Sequence, residues 1–165
     1  MTPVLPDPEA LCSELVQQLR AQVNADTALV GVHTGGVYLA ERLHAALGIA
    51  PPLGLLDISF YRDDFDKTGL HPQIKPTRIP FEVGGRHIIL VDDVLYTGRT
   101  VRGAMNELFD YGRPASISLA VLIDRGGREL PVAAQYIGAK LEVPQGRMLV
   151  LDRDKDGKLG LKFDA

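Results

Sequence analysis

Cys12, Leu15, Val16, Leu19 and Val23 recur at intervals of one, three and four, the spacing of one helical face. Asp7 followed by Pro8 supplies an N-cap and a first helical residue, so the pattern predicts an amphipathic helix that begins at Pro8 and buries Cys12 as a small apolar side chain. ALVGV (28–32) has no polar position and predicts a short buried strand. It runs through HTGG into VYLAERLHAALG, where Val37, Ala40, Leu43 and Leu47 share a helical face and Gly48 follows the last turn. Strand, tight loop and helix make the first half of a βαβ unit. LLDISF (55–60) places Leu56, Ile58 and Phe60 on one side and predicts a further strand.

The periodicity lapses over residues 61–86, which carry prolines and glycines and no helical stripe. A connection of this length in a compact domain is characteristic of a functional lid or a mobile loop. Pattern returns with HIILV (87–91), and a helix is predicted after Thr100, with Val101, Ala104, Met105, Leu108 and Phe109 on its apolar face and Gly112 and Pro114 at its end. SISLAVLI (116–123) and AAQYIG (133–138) read as strands, and Asp156-Gly157 between two alternating segments signals a hairpin. The expected architecture is α/β: a central, mostly parallel sheet flanked by helices, with a C-terminal β-hairpin, forming one domain over residues 1–165.

Composition narrows the class. The chain is 45% hydrophobic and 24% charged, ordinary for a soluble globular protein. No apolar stretch approaches the ~20 residues of a membrane span, and MTPVLPDPEA has no basic region leading into an apolar one, so neither a membrane nor a secretory route is expected. The single cysteine, Cys12, cannot form an internal disulfide, which fits the cytoplasm. Residues 1–48 hold Arg20 and Arg42 against Asp7, Glu9, Glu14, Asp26 and Glu41, so no basic tail offers bulk charge to nucleic acid.

Two motifs are decoys. DRDKDGKLGLKF (152–163) starts like a calcium loop, but its twelfth position is Phe163 instead of a bidentate glutamate. GVHTGG lacks the G-x-G-x-x-G spacing of a dinucleotide loop, although its backbone N–H groups can still meet an anion. The four histidines show no metal-ligand spacing, and His44 is expected on a helix surface.

IILVDDVLYTGRT (88–100) is different. A strand ending in Asp92 and Asp93, then a turn and a helix, sits where open α/β sheets bind ligands. Gly98 lets the backbone approach closely, Thr97 and Thr100 add hydroxyls, and the following helix start offers unpaired N–H groups to a phosphate. The paired acids suit vicinal hydroxyls and a magnesium ion, so one loop can hold both ends of a ribose 5-phosphate.

This stretch resembles the phosphoribosyl pyrophosphate (PRPP) motif of type I phosphoribosyltransferases. VGVHTGGVYLAERL, DISFYRDD, VDDVLYTGRTVRGAM and VLIDRGGRELPVAAQYIG further resemble the PyrR family, uracil phosphoribosyltransferases that also regulate pyrimidine operons, over about residues 8–140. The resemblance implies a type I phosphoribosyltransferase fold with a small hood, and the reaction of uracil with PRPP to give UMP and pyrophosphate. It implies Asp92 and Asp93 at the ribose hydroxyls and Mg2+, and Thr97, Gly98, Arg99 and Thr100 at the phosphate. It implies Thr34, Gly35 and Gly36 at the pyrophosphate, and Arg62 in a catalytic lid opening at Tyr61-Arg62-Asp63-Asp64. The base is expected near Tyr96, Asp124, Arg125, Ile137 and Gly138. Tyr96 stands where purine enzymes with this motif commonly carry an acid, which favours a pyrimidine. A homodimer or larger homo-oligomer is also implied, as is an mRNA leader as partner.

The chain departs from that family at His33-Thr34-Gly35-Gly36, where a Lys-Thr-Arg-Gly loop is usual; an arginine restored at position 35 is expected to tighten PRPP, the alternative being that Gly35 is a geometric requirement of the loop and that the arginine weakens binding and stability. Its first helix is acidic where the family's RNA-binding face is basic, leaving Arg125, Arg128, Lys140 and Arg147 to supply part of such a face. The competing reading is a nucleotide-sensing, RNA-binding attenuator with slight catalysis.

Overall fold

The computed structural model describes residues 4–58 and 77–164. Helix α1 (Pro8–Arg20) is capped by Asp7, whose carboxylate accepts the Glu9 N–H at 3.0 Å, and it buries Cys12, Leu15 and Leu19. Burial pushes the Cys12 thiol up, as befits an apolar side chain. Strand β1 (Thr27–Val32) is buried throughout and leads into α2 (Gly35–Leu47), which Gly48 closes at φ 61°. Strand β2 (Gly54–Leu56) is shorter than the alternation over 55–60 suggests. Beyond Leu56 the chain leaves the ladder: the Asp57 N–H donates to Thr77 Oγ1, and Leu55 bridges Arg78 antiparallel. Phe60 and most of the expected lid, Arg62 included, lie outside the described residues.

Strand β3 (His87–Leu95) runs past the expected end at Val91, because Asp92, Val94 and Leu95 continue the ladder with Val121, Ile123 and Asp124. The two acids therefore belong to the strand itself. Helix α3 (Arg99–Phe109) follows; its buried face stops at Leu108, and Phe109, expected on that face, is 58% exposed on the last turn. Strands β4 (Ser116–Asp124) and β5 (Tyr136–Lys140) complete a five-stranded sheet in the order β2-β1-β3-β4-β5, parallel throughout.

Strand alternation divides the interior between the two faces. Ile89 and Val91 of β3 point to the core shared with α1 and α2, whereas Ile88 and Leu90 point to the core under α3. Gly31 of β1 allows α2 to come close: a Cβ there would lie 2.8 Å from Ala40 Cβ and 3.0 Å from Val37 Cα. Among the described residues no helix is long and apolar enough to cross a membrane.

The antiparallel hairpin of β6 (Met148–Arg153) and β7 (Leu159–Asp164) forms where Asp156-Gly157 signals it. Asp154 Oδ1 accepts the N–H groups of Asp156 and Lys158, so the calcium-like run is built as a turn. Leu149, Leu151 and Leu159 join the core beside α1 and α2. One charged knot fastens the turn. Arg42 of α2 grips Glu9 of α1 through two nitrogens at 2.5 and 2.8 Å, and Glu9 accepts the Leu159 N–H at 2.9 Å. The Arg42 guanidinium and the Leu159 amide hold the Glu9 carboxyl down at about 2. Glu41 and Arg153 form a further ion pair between α2 and the hairpin.

Candidate active site

The sheet order places β1 and β3 side by side with α2 and α3 on opposite faces, so the chain reverses direction of winding between them. The carboxyl ends of these strands open a crevice at that switch point, the position where doubly wound sheets take ligands. A cleft lies there. From the β1 end it is lined by His33, Thr34 and Gly35, from the β3 end by Asp92, Asp93, Val94, Tyr96 and Thr100, and from the β4 end by Arg125.

Asp92 is 6% exposed, and its Oδ1 accepts the Asp93 N–H at 2.9 Å. Asp93 Oδ1 takes the Val94 N–H at 2.9 Å, while Oδ2 reaches the Leu151 N–H of the hairpin at 3.4 Å. These amide contacts orient both carboxylates. Among the described residues no group of three or more His, Cys, Asp or Glu gathers to hold a metal. Two carboxylates are the donor set that suits magnesium, which keeps several waters and draws other oxygens from a substrate.

The turn after β3 is built around Gly98, in the left-handed region at φ 97°. Its special position is enforced from outside as well: a Cβ would fall 2.3 Å from Val132 Cγ2. Thr97 is buried and its hydroxyl accepts the Arg99 N–H at 3.2 Å, while Thr100 lines the cleft. Arg99 itself points outward to Glu129, at 2.9 Å. The start of α3 thus presents its first-turn amides next to the two acids.

On the β1 side the His33–Thr34 peptide is cis, and Thr34 stands at the N-cap of α2. Gly36 sits where a Cβ would meet Val91 O at 2.7 Å, so α2 packs tightly on β3. Gly35 is filled from the other side. A Cβ there would lie 2.2 Å from Asp93 Oδ2 and 2.7 Å from its Cγ. Of the two accounts of Gly35, the geometric one gains support: the Asp93 carboxylate already takes that space.

Of the residues expected around the base, Tyr96 and Arg125 line the cleft, with the guanidinium carbon 3.9 Å from the ring centroid. Gly127, at φ 78°, makes room for that ring. Arg125 donates through Nη1 to Arg147 O at 2.8 Å, and its buried Nε has no hydrogen-bond partner. It is the one lining side chain of fixed positive charge among the described residues. Asp124 instead pairs with Arg128 at 2.7 Å. Ile137 and Gly138 do not line the cleft: they lie within β5, where Ile137 O accepts Gln18 Nε2 and Gly138 faces Leu122 O and Leu11.

Sequence reasoning missed one wall. Met148, Leu149, Val150, Leu151 and Asp164 of the hairpin line the cleft opposite the turn. Nothing local in MLVL marks those residues, because their place comes from packing against the distant α2 and β3.

Comparison with known proteins agrees with this layout. The phosphoribosyl transferase domain matches residues 5–145. "Bifunctional protein PyrR" of Nitrosococcus oceani is 52% identical over 143 residues, covering 86% of this chain and 81% of its own. The protein of the same name from Pseudomonas aeruginosa is 51% identical over 144 residues, covering 84% of each chain. Among solved structures, a hypoxanthine phosphoribosyltransferase of Staphylococcus aureus superposes with a TM-score of 0.68 at 23% identity, over 85% of this chain and 77% of that one. The hypoxanthine phosphoribosyltransferase of Trypanosoma cruzi also gives 0.68, at 20% identity over 94% and 92%. These last two likenesses bear on the fold and leave the base open.

Proposed function

The chain belongs to the PyrR family of phosphoribosyl transferase domain proteins, and from that premise we propose that it transfers the phosphoribosyl group of PRPP to uracil, releasing UMP and pyrophosphate. The observation that carries this reading is the meeting, in one cleft, of Asp92 and Asp93 with the amide-rich start of α3.

Each part of the substrate has a counterpart. The ribose hydroxyls go to Asp92 and Asp93, the 5′-phosphate to the turn of Thr97, Gly98, Arg99 and Thr100, and the pyrophosphate to Thr34, Gly35 and Gly36. The base goes beside the stacked Tyr96 and Arg125. Asp92 and Asp93 would also hold Mg2+, which supplies charge neutralisation of the leaving pyrophosphate.

In the transfer the C1′–O bond to pyrophosphate breaks and an N1–C1′ bond to uracil forms, with the N1 proton passing to water or to a pyrophosphate oxygen. Positive charge builds on C1′ and the ring oxygen as the bond breaks, as in glycoside cleavage. The carboxylates beside the sugar stabilise that charge because they are already oriented by backbone amides. The hairpin wall of Leu149 and Leu151 limits the water that can compete.

The test is an assay of pyrophosphate release with PRPP and magnesium across uracil, orotate, guanine and hypoxanthine. Turnover of uracil far above the others supports the reading. Preference for a purine overturns it.

The proposal includes a homodimer or larger homo-oligomer and a second activity at an mRNA leader, since the relatives are named bifunctional. Of the four cations the sequence suggests for that face, Arg125 and Arg128 are committed inward and Arg147 stacks on Phe163 at 4.5 Å. Lys140 stays at an exposed strand end.

A further inference from the structure

The segment 126–132, between β4 and β5, grips the turn that follows β3. Tyr96 O accepts Arg128 Nη1 at 2.7 Å. Thr97 O accepts two amides, Glu129 N at 2.9 Å and Leu130 N at 3.1 Å. Val132 fills the space beside Gly98. Both peptides of the turn are trans, and in a trans peptide the carbonyl and the next N–H point in opposite directions. Tethering Tyr96 O therefore turns the Thr97 N–H away from Arg128. Tethering Thr97 O likewise turns the Gly98 N–H away from the Glu129–Leu130 backbone.

We propose that Arg128 is a positioning residue for the 5′-phosphate, setting the peptide planes of the Tyr96–Gly98 turn without touching the substrate. The inference rests on the phosphoribosyltransferase reading and adds a residue to it. Thr97 O is held by backbone amides that any sequence supplies. Tyr96 O depends on one side chain.

Arginine is needed because three directions must be served at once. Nη2 meets both oxygens of Asp124, at 2.8 and 2.7 Å; Nη1 meets Tyr96 O; and Nε meets Val132 O at 3.0 Å. A planar fork does this with little rotamer freedom left to lose, whereas the single ammonium of lysine cannot. The pair is 24% and 11% exposed, so water competes little. Burial pushes the Asp124 carboxyl up, but Arg128 and the Gly126 N–H outweigh it and hold it below its ordinary value. Asp124 therefore stays ionised at neutral pH and fixes the guanidinium plane.

Arg128→Lys retains the charge opposite Asp124 and removes the fork. UMP and uridine, which differ only by the phosphate, are titrated into wild type and variant by calorimetry, with melting temperature followed alongside. The expected result is a loss of UMP affinity of about tenfold or more, the scale of one hydrogen bond, with uridine affinity unchanged. If Arg128→Lys does not fold, the double variant Arg128→Gln with Asp124→Asn removes the charge pair together and is titrated in the same way. Equal loss for UMP and uridine, or no loss for either, overturns the proposal. A wild-type protein that binds UMP no better than uridine overturns the phosphate pocket itself, and is distinguished by needing no variant at all.

Discussion

At the scale of single residues, the site turns on where the Asp93 carboxylate can go. It is oriented by two amides and occupies the volume beside Gly35. Asp93→Asn keeps the shape and removes the charge. It should cost about a hundredfold in UMP formation, the scale for losing one preorganised electrostatic group, at nearly unchanged melting temperature. Activity within a fewfold of wild type would remove Asp93 from the ribose. Gly35→Arg should weaken PRPP binding and lower the melting temperature, because any Cβ at 35 displaces that carboxylate. Tighter PRPP binding at unchanged stability would mean that Asp93 moves aside at no cost. The acids, the glycines and the threonines were legible in the sequence because a strand-turn-helix motif is local. The filling of residue 35 by residue 93 joins positions 58 apart, and no spacing rule reports it.

Among the elements, the hairpin is the one whose form was legible and whose use was not. Asp156-Gly157 announces a turn, but only the packed structure carries β6 across the cleft and ties β7 to α1. Glu9 makes that tie sensitive to acid. Its carboxyl sits at about 2 when folded against an ordinary 4.5, so the stabilisation is fully present above pH 4.5 and fades as pH falls toward 2. The difference in melting temperature between wild type and Glu9→Gln should accordingly shrink over that interval. A constant difference from pH 5 to pH 2 would show that the carboxylate's charge plays no part in holding the turn. The shorter β2 and the exposed Phe109 were missed for a common reason: periodicity marks a stripe but not where packing partners end.

For the whole molecule, the parallel order of the sheet was expected from its alternating strands and helices, and it brings three loops from distant parts of the chain to one crevice. The same packing decides how much positive charge is left for an RNA. With Arg125 and Arg128 turned inward, leader RNA should bind with a shallow salt dependence. Raising salt from 50 to 200 mM should cost less than the ~10³-fold that six to ten phosphate contacts bring. A steeper loss in a filter-binding titration would require a basic face assembled from other residues.

The order in which the chain is made gives the hairpin wall one more consequence. Residues up to Lys140 supply the whole parallel sheet and all three loops, and β7 ends only at Asp164. At ribosomal speeds of about 5–20 residues per second, roughly 1–5 s separate those two points. Until the hairpin docks, the turn after β3 and the paired acids have one side of the crevice uncovered. The apolar surface of α2 and β3 that will receive Leu149 and Leu151 is then open to whatever else is nearby in the crowded space beside the ribosome.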